Sequence, residues 1–234
     1  MQKYIYGKWG ELLKTAGAFL RDTVYPEGAV CSCCGKISDG RPLCPDCREK
    51  LERDGTAFAW FFTELEPDLP AYSLRPHEGL SRDLVLKLKH QGEACLAREM
   101  AAAVLPLPAF LSFSPDTVVT WVPMPAKRLR ARGIDHGRLL AEAVAAELGL
   151  SCRKLLNRAN DRSKAQATLG QEGRLKNLAG VFSPAVRIRT PVLLVDDVLT
   201  TGTTARRCAE ALRAGGAVHI TVLTFTRSVK GTPM

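Results

Sequence analysis

The sequence predicts an α/β protein: an open, mainly parallel sheet, preceded by a small N-terminal four-cysteine zinc module. Three observations carry this reading. Short apolar runs, VVTWV, VLLV and ITVLTF, are bounded by turn residues and have strand length. Segments with helical spacing, HGRLLAEAVAAELGL and TTARRCAEALRAGG, alternate with them, as a parallel sheet requires. Five of the eight cysteines crowd into CSCCGKISDGRPLCPDC near the start. We expect residues 1–60 to hold the zinc module and residues 61–234 the main domain.

The first segment, MQKYIYGKWGELLKTAGAFL, has no long apolar core and no cleavage-like end. Residues 11–20 read as a short amphipathic helix packed on the domain. No apolar run reaches the roughly 20 residues that span a bilayer. With the cysteines clustered rather than spread through a disulfide scaffold, a reducing cytoplasm is the simplest compartment.

In the cysteine segment, Cys31 and Cys34 form one C-x-x-C pair and Cys44 and Cys47 the other. Two such turns can set four thiolates tetrahedrally around Zn²⁺, and a cation makes four thiolates tolerable. Cys33 lies between the expected ligands and is the alternative to Cys34. A closed four-cysteine site has no open position for chemistry. It is either a staple for a segment too small to build a core or a docking surface. No Phe, Trp or Tyr between the cysteines offers a base-stacking platform.

The main elements follow in order. REKLERDG reads as a short polar helix, and AFAWFFTEL with LPAYSLR as a strand or hairpin. Residues 81–107 have helical spacing interrupted at Gly92, with Leu84, Leu88, Leu96 and Met100 facing inward. PLPAFLSFSPD is a loop, DTVVTWVPMP a buried strand feeding a basic loop, and 136–150 a helix. TPVLLVDD is a second buried strand, TTARRCAEALRAGGA a helix stopped by Gly-Gly, and VHITVLTFTR a third strand.

The formal net charge is +9, so the surface attracts anions without choosing among them. Ten Lys or Arg face four Asp or Glu between 126 and 164. The chemistry concentrates in VLLVDDVLTTGTT, residues 192–204. Asp196 and Asp197 are expected at a strand's carboxyl end, where ligands of parallel sheets bind. Thr200, Thr201, Gly202, Thr203 and Thr204 then lead into a helix whose first N–H groups can receive an anion. Carboxylates repel phosphate but accept hydrogen bonds from hydroxyls, so a sugar phosphate satisfies both halves. A P-loop ATPase would also need G-x-x-x-x-G-K-[ST], which is absent, as is the dinucleotide fingerprint G-x-G-x-x-G. The bland alternative is a strand followed by a Thr-capped helix.

VLLVDDVLTTGTT resembles the phosphoribosyl-pyrophosphate signature of type I phosphoribosyltransferases. Nearly the whole chain is similar to the ComF/ComFC-like family, described as predicted amidophosphoribosyltransferases. CSCCGK and LCPDC resemble its zinc module. LKHQG (88–92) resembles its lysine–aromatic–basic–glycine element, with His90 and Gln91 departing from the usual types. VPMPAKRLRARGIDHGRLLA (122–141) resembles its VPVP…RGFNQ…LA segment; Arg132 and Gly133 match, Ile134 replaces Phe, and Asp135–His136 replaces Asn–Gln. QATLGQEGRLKNLAGVF (166–182) matches a Q-x-x-L…R-x-x-N…G-x-F pattern through Gln166, Leu169, Arg174, Asn177, Gly180 and Phe182, with Ser163 where Thr is usual.

The resemblance implies a sheet of the type I phosphoribosyltransferase kind and 5-phosphoribosyl 1-pyrophosphate as ligand. It implies that Thr200–Thr204 takes the 5′-phosphate and that Asp196 and Asp197 serve as the catalytic pair, holding the ribose hydroxyls directly or through Mg²⁺. Lys127, Arg128, Arg130 and Arg132 are cations available to pyrophosphate, with Lys89 a further candidate and residues 155–180 a lid. His136 is a candidate for acting on the acceptor, and otherwise a cap or surface residue. Two readings stay open: a transferase displacing pyrophosphate at ribose C1, or a noncatalytic nucleotide or phosphoribosyl binder supporting DNA handling. The family's name points to competence, and DNA or a competence-machinery protein is the partner under the second reading. The chain has no N-terminal nucleophilic cysteine and no room for a glutaminase domain, which argues against nitrogen transfer from glutamine.

Overall fold

The computed structural model describes residues 29–56, 61–91, 94–103, 113–159 and 181–228. The expected helix at 11–20, Gly92, most of the loop PLPAFLSFSPD, and the motif positions Ser163, Gln166, Leu169, Arg174, Asn177 and Gly180 lie outside the described residues. The chain forms two compact units, one through Lys50 and one from Leu51 onward.

In the first unit the cysteine turns are held by backbone bonds. Gly35 N donates to Cys31 O at 2.9 Å, Cys31 N to Lys36 O at 2.7 Å and Ser32 N to Pro42 O at 2.8 Å. Val30 and Ile37 form a single antiparallel bridge. Helix α1 (Pro45–Thr56) begins beside the second pair. Proline suits this first helical position, where its missing N–H would have had no partner.

The second unit is built on a six-stranded sheet. Its strands are β1 (Phe61–Glu64), β2 (Pro70–Pro76), β3 (Val118–Trp121), β4 (Ser151–Cys152), β7 (Val192–Leu199) and β8 (Ile220–Arg227), in the order β1-β2-β8-β7-β3-β4. Strands β5 (Leu156–Arg158) and β6 (Phe182–Pro184) form a separate antiparallel pair. Within the large sheet only β1–β2 is antiparallel. It is the hairpin expected from AFAWFFTEL and LPAYSLR. The α/β reading and the mainly parallel sheet are borne out.

The central strands are apolar on both faces because both are covered. Val192, Leu194, Ile220 and Val222 pack with Cys208, Ala209 and Leu212 of α6 (Thr203–Ala214), and with Leu156 and Phe182. Alternation leaves Leu193, Val195 and Leu223 for the other face. There lie α2 (Gly79–Gln91), α3 (Ala94–Ala102) and α5 (His136–Leu148). Leu84, Leu88, Leu96 and Met100 are fully buried, as the helical spacing of 81–107 predicts. Their segment is two helices rather than one.

One expectation is corrected. The segment after β3, read as a basic loop, contains helix α4 (Ala126–Arg132). AKRLRAR is composed of good helix formers, starts just after Pro125, and is stopped by Gly133 in the left-handed region at φ 75°. It has no buried residue, so no apolar stripe announced it. Of the lid expected over 155–180, residues 160–180 lie outside the described residues; at its start Leu155 and Leu156 are buried in the core and Leu156–Arg158 lies in β5.

The strand order positions the site. From β3 the chain passes through α5 to β4 at one edge. From β7 it passes through α6 to β8, in the opposite direction. The order therefore reverses between β3 and β7, and such a switch point opens a crevice beyond the strand ends.

Candidate phosphate cup and carboxylate clamp

Strand β7 runs two residues further than VLLVDD suggested. Val198 and Leu199 continue its parallel pairing with Thr226 and Arg227 of β8. Asp196 and Asp197 therefore sit within the strand rather than at its end, and alternation sends their side chains to opposite faces.

Asp196 faces the side of α6. It lines a recess of ≈ 30 Å³ together with Val122, Val198, Thr200, Gly202 and Thr204. That is about the space of one water molecule. Asp197 N donates to Asp196 Oδ1 at 2.9 Å. Burial, followed by the neighbouring Asp197 charge, pushes the Asp196 carboxyl up to about 7 against the weaker opposing pull of that N–H and Lys89.

The turn after β7 is shaped for close approach. Gly202 is the N-cap of α6, at φ 74°, and Thr201 Oγ1 accepts a long bond, 3.5 Å, from the first helical N–H at Thr203. A Cβ there would lie 2.6 Å from Leu65 Cδ2. Thr201 Oγ1 and Thr203 Oγ1 are 2.9 Å apart. Thr200, Thr201, Thr203 and Thr204 are all exposed, while Gly202 is buried beneath them. First-turn N–H groups and hydroxyls thus share one rim with the Asp196 carboxylate.

Asp197 faces the other way and is buried. Lys89 Nζ, from the last turn of α2, lies 2.9 Å from its Oδ1. His136 Nε2, at the start of α5, lies 3.0 Å from its Oδ2. Arg132 Nη1 is 3.3 Å from His136 Nδ1. A guanidinium only donates, so Nδ1 accepts and the ring proton sits on Nε2, directed at Asp197. Burial raises the Asp197 carboxyl, but the His136 hydrogen bond and Lys89 outweigh it and hold it below its ordinary range.

A second histidine, His77, adjoins this cluster. Thr226 Oγ1 donates to the Asp197 carbonyl at 3.2 Å and lies 2.9 Å from His77 Nδ1. A hydroxyl has one proton, so the second contact is donated by His77 Nδ1–H. Burial, then the charges of Lys89 and Arg82, lower His77 against the opposing pull of Asp197.

The residues singled out from the sequence therefore divide. Asp196, Thr200, Gly202 and Thr204 meet in one recess. Lys89 and Arg132 join Asp197 rather than the threonines. Lys127 and Arg128 are exposed on α4 and have no ion-pair partner among the described residues. Asp135, incongruous beside a basic segment, is the N-cap of α5: its Oδ1 accepts from Arg138 N at 3.3 Å, and its Oδ2 from Trp121 Nε1 at 3.1 Å. His136 sits at the helix start as expected, yet it neither caps the helix nor lies free on the surface. His77 and Thr226 carried no signal in the sequence, because contacts across 149 positions of chain leave no local pattern.

In the first unit, one sulfur from each of Cys31, Cys34, Cys44 and Cys47 lies within 4.8 Å of every other. Tetrahedral Zn–S bonds of about 2.3 Å set sulfurs about 3.8 Å apart. Cys34 Sγ and Cys44 Sγ are already 3.7 Å apart. Cys34, not Cys33, completes the four; Cys33 instead points its N–H at Cys31 Sγ, 3.4 Å away. Burial raises the Cys31 thiol, but backbone N–H groups at Cys34, Cys44 and Cys33 outweigh it and bring it to about 6. The four-cysteine cluster has the donors and spacing to hold a structural zinc.

No family model matches the chain. It is 27% identical over 214 residues to the DNA utilization protein YhgH of Salmonella typhimurium, covering 86% of this chain and 91% of that one. Among solved structures it is similar to the glutamine phosphoribosylpyrophosphate amidotransferase of B. subtilis, with 18% identity and a TM-score of 0.43 over 60% of this chain. The chain spans 30% of that enzyme's length. It is also similar to the adenine phosphoribosyltransferase of Leishmania tarentolae, with 15% identity and a TM-score of 0.36, over 71% of this chain and 94% of that one. Strand order and register, rather than these likenesses, define the fold described above. Among the described residues, no helix is long and apolar enough to cross a membrane.

Proposed function

We propose that the chain is a ComF-like phosphoribosyltransferase that binds 5-phosphoribosyl 1-pyrophosphate and displaces pyrophosphate at ribose C1. The observation that carries this reading is the convergence of Asp196 with Thr200, Gly202 and Thr204 on one rim. The recess itself has room for about one water, so the sugar lies across its mouth. Its 5-phosphate takes the N–H groups and hydroxyls of the Thr200–Thr204 turn. Its ribose hydroxyls donate to Asp196.

Asp197 serves a different end. Its two oxygens are engaged by Lys89 and His136, so it fixes those side chains and Arg132 at the crevice between β3 and β7. The cations of α4, Lys127 and Arg128 with Arg130, stay solvent-facing and available to pyrophosphate. As the C1–O bond breaks, negative charge gathers on pyrophosphate and positive charge on C1 and the ring oxygen. Cations held in advance near the leaving group stabilise that state without reorganising.

The donor set suits Mg²⁺ in one way only. Asp196 and Asp197 point to opposite faces and cannot chelate one ion together, whereas Asp196 alone can supply a carboxylate oxygen beside the ligand's own phosphate oxygens. Bound so, Mg²⁺ would neutralise the leaving group. Zn²⁺ at the four cysteines has no open position and contributes structure.

A second reading is a phosphoribosyl or nucleotide binder without turnover, supporting DNA handling. It is favoured by the similarity to a DNA utilization protein and by the exposed cations of α4. The two readings separate when purified protein is mixed with phosphoribosyl pyrophosphate, Mg²⁺ and a panel of bases and amines. Release of pyrophosphate supports the transferase; binding without release supports the binder. Absence of binding contradicts both.

A further inference from the structure

We infer that Arg206 is a positioning residue that ties the threonine turn to the β1–β2 hairpin and holds the phosphate cup in its open shape. The inference rests on the phosphate-cup reading above. Arg206 lies in the first turn of α6, and its backbone N donates to Gly202 O at 2.9 Å. Its side chain reaches two carbonyls at once. Nη1 donates to Thr201 O at 3.0 Å, inside the threonine turn. Nε donates to Leu65 O at 3.0 Å, in the connection between β1 and β2. A guanidinium presents several donors in a rigid fork, so one side chain fixes the separation of two chain segments 136 positions apart, from Leu65 to Thr201.

The hairpin side is itself braced. Glu66 Oε1 lies 3.9 Å from Arg206 Nε, and Glu66 Oε2 lies 3.1 Å from Arg213 Nη1, two turns along α6. Leu65 N donates to Leu69 O at 3.1 Å and Leu69 N to Glu66 O at 3.0 Å, with Asp68 in the left-handed region at φ 63°. The Leu65 side chain lies over the α face of Gly202, where any larger residue would strike it. Hydrogen bonding and packing thus fix the same two loops by separate means.

Both bonds, one to the turn and one to the hairpin, use carbonyl oxygens. By drawing the Thr201 carbonyl toward the hairpin, Arg206 keeps an electronegative atom engaged with a cation and away from an incoming phosphate. Arg206 neither lines the recess nor belongs to the Asp197 cluster, so its influence on a ligand is felt at the phosphate end only.

The test is binding of two probes, ribose 5-phosphate and inorganic pyrophosphate, to the full chain by calorimetry. In Arg206→Ala, ribose 5-phosphate binding should weaken about tenfold or more, the usual effect of losing a charged hydrogen bond. Pyrophosphate binding should stay within about twofold, and added guanidinium should restore much of the lost affinity. Arg206→Lys keeps the charge but not the fork and should fall between wild type and Arg206→Ala, which keeps the inference testable where alanine prevents folding. Unchanged ribose 5-phosphate binding in both variants overturns the inference, as does equal weakening of both probes. If the wild-type chain binds neither probe, the phosphate-cup reading itself fails, a result distinct from either of those.

Discussion

Lys89 and His136 take the two oxygens of one buried carboxylate, Asp197, at 2.9 and 3.0 Å. They come from different helices, α2 and α5, and meet on the strand between them. The acidic pair of the sequence is therefore two different things: one carboxylate held by a lysine and a histidine, and one facing the threonine turn.

Removing the clamped carboxylate should be costly. Asp197→Ala leaves Lys89 half-buried without its counter-charge, and breaking such a pair costs roughly 3–5 kcal/mol. Denaturant unfolding should show that loss. Lys89→Met added to Asp197→Ala should recover part of it, and the double-mutant cycle gives the coupling.

The two acids should also respond to pH in opposite ways. Asp197 is lowered, so its stabilisation is present above the ordinary carboxylate range and lost as pH falls through its depressed pKa. Asp196 is raised to about 7, so the folded state holds its proton more tightly than the unfolded chain. Stability contributed at Asp196 then declines as pH rises from about 4 to its raised value. Asp196→Asn should stabilise the protein at pH 8 and change little at pH 4. Affinity for ribose 5-phosphate in the wild type should climb through neutrality, and the climb should vanish in Asp196→Asn.

At Gly202 the backbone and the neighbour both resist a side chain. Gly202→Ala pays about 1–2 kcal/mol for the left-handed conformation alone, and its Cβ meets Leu65 Cδ2 at 2.6 Å. A lowered thermal midpoint together with weakened ribose 5-phosphate binding is expected. Thr203→Ala, on the exposed rim, should weaken binding while leaving the midpoint near wild type.

For the cysteine cluster, metal analysis of the purified chain should find one zinc. Cys34→Ser should lose it and Cys33→Ser should keep it, since only Cys34 has its sulfur among the four. Chelation should release the metal with the main domain still folded, as read by the near-ultraviolet signal of the buried Trp121 of β3.

How much of this was legible in the sequence depended on range. VLLV and ITVLTF announced buried parallel strands because both faces of each are covered. The four cysteines announced themselves by spacing. β4, β5 and β6, two or three residues each, are too short to show a period. α4 hid because AKRLRAR buries nothing. The threonine turn and Asp196 were readable as a local motif. The partners of Asp197 were not, since Lys89 and His136 reach its carboxylate and Thr226 its backbone carbonyl from three separate elements that only folding brings together.

The central claim is that a sugar phosphate bridges Asp196 and the threonine turn. Titrating phosphoribosyl pyrophosphate with Mg²⁺ into wild type, Asp196→Ala and the Thr203→Ala/Thr204→Ala double variant tests it most directly. The account predicts saturable binding by the wild type, and at least a tenfold loss in each variant, about 1.4 kcal/mol. Equal affinity across all three proteins would contradict it.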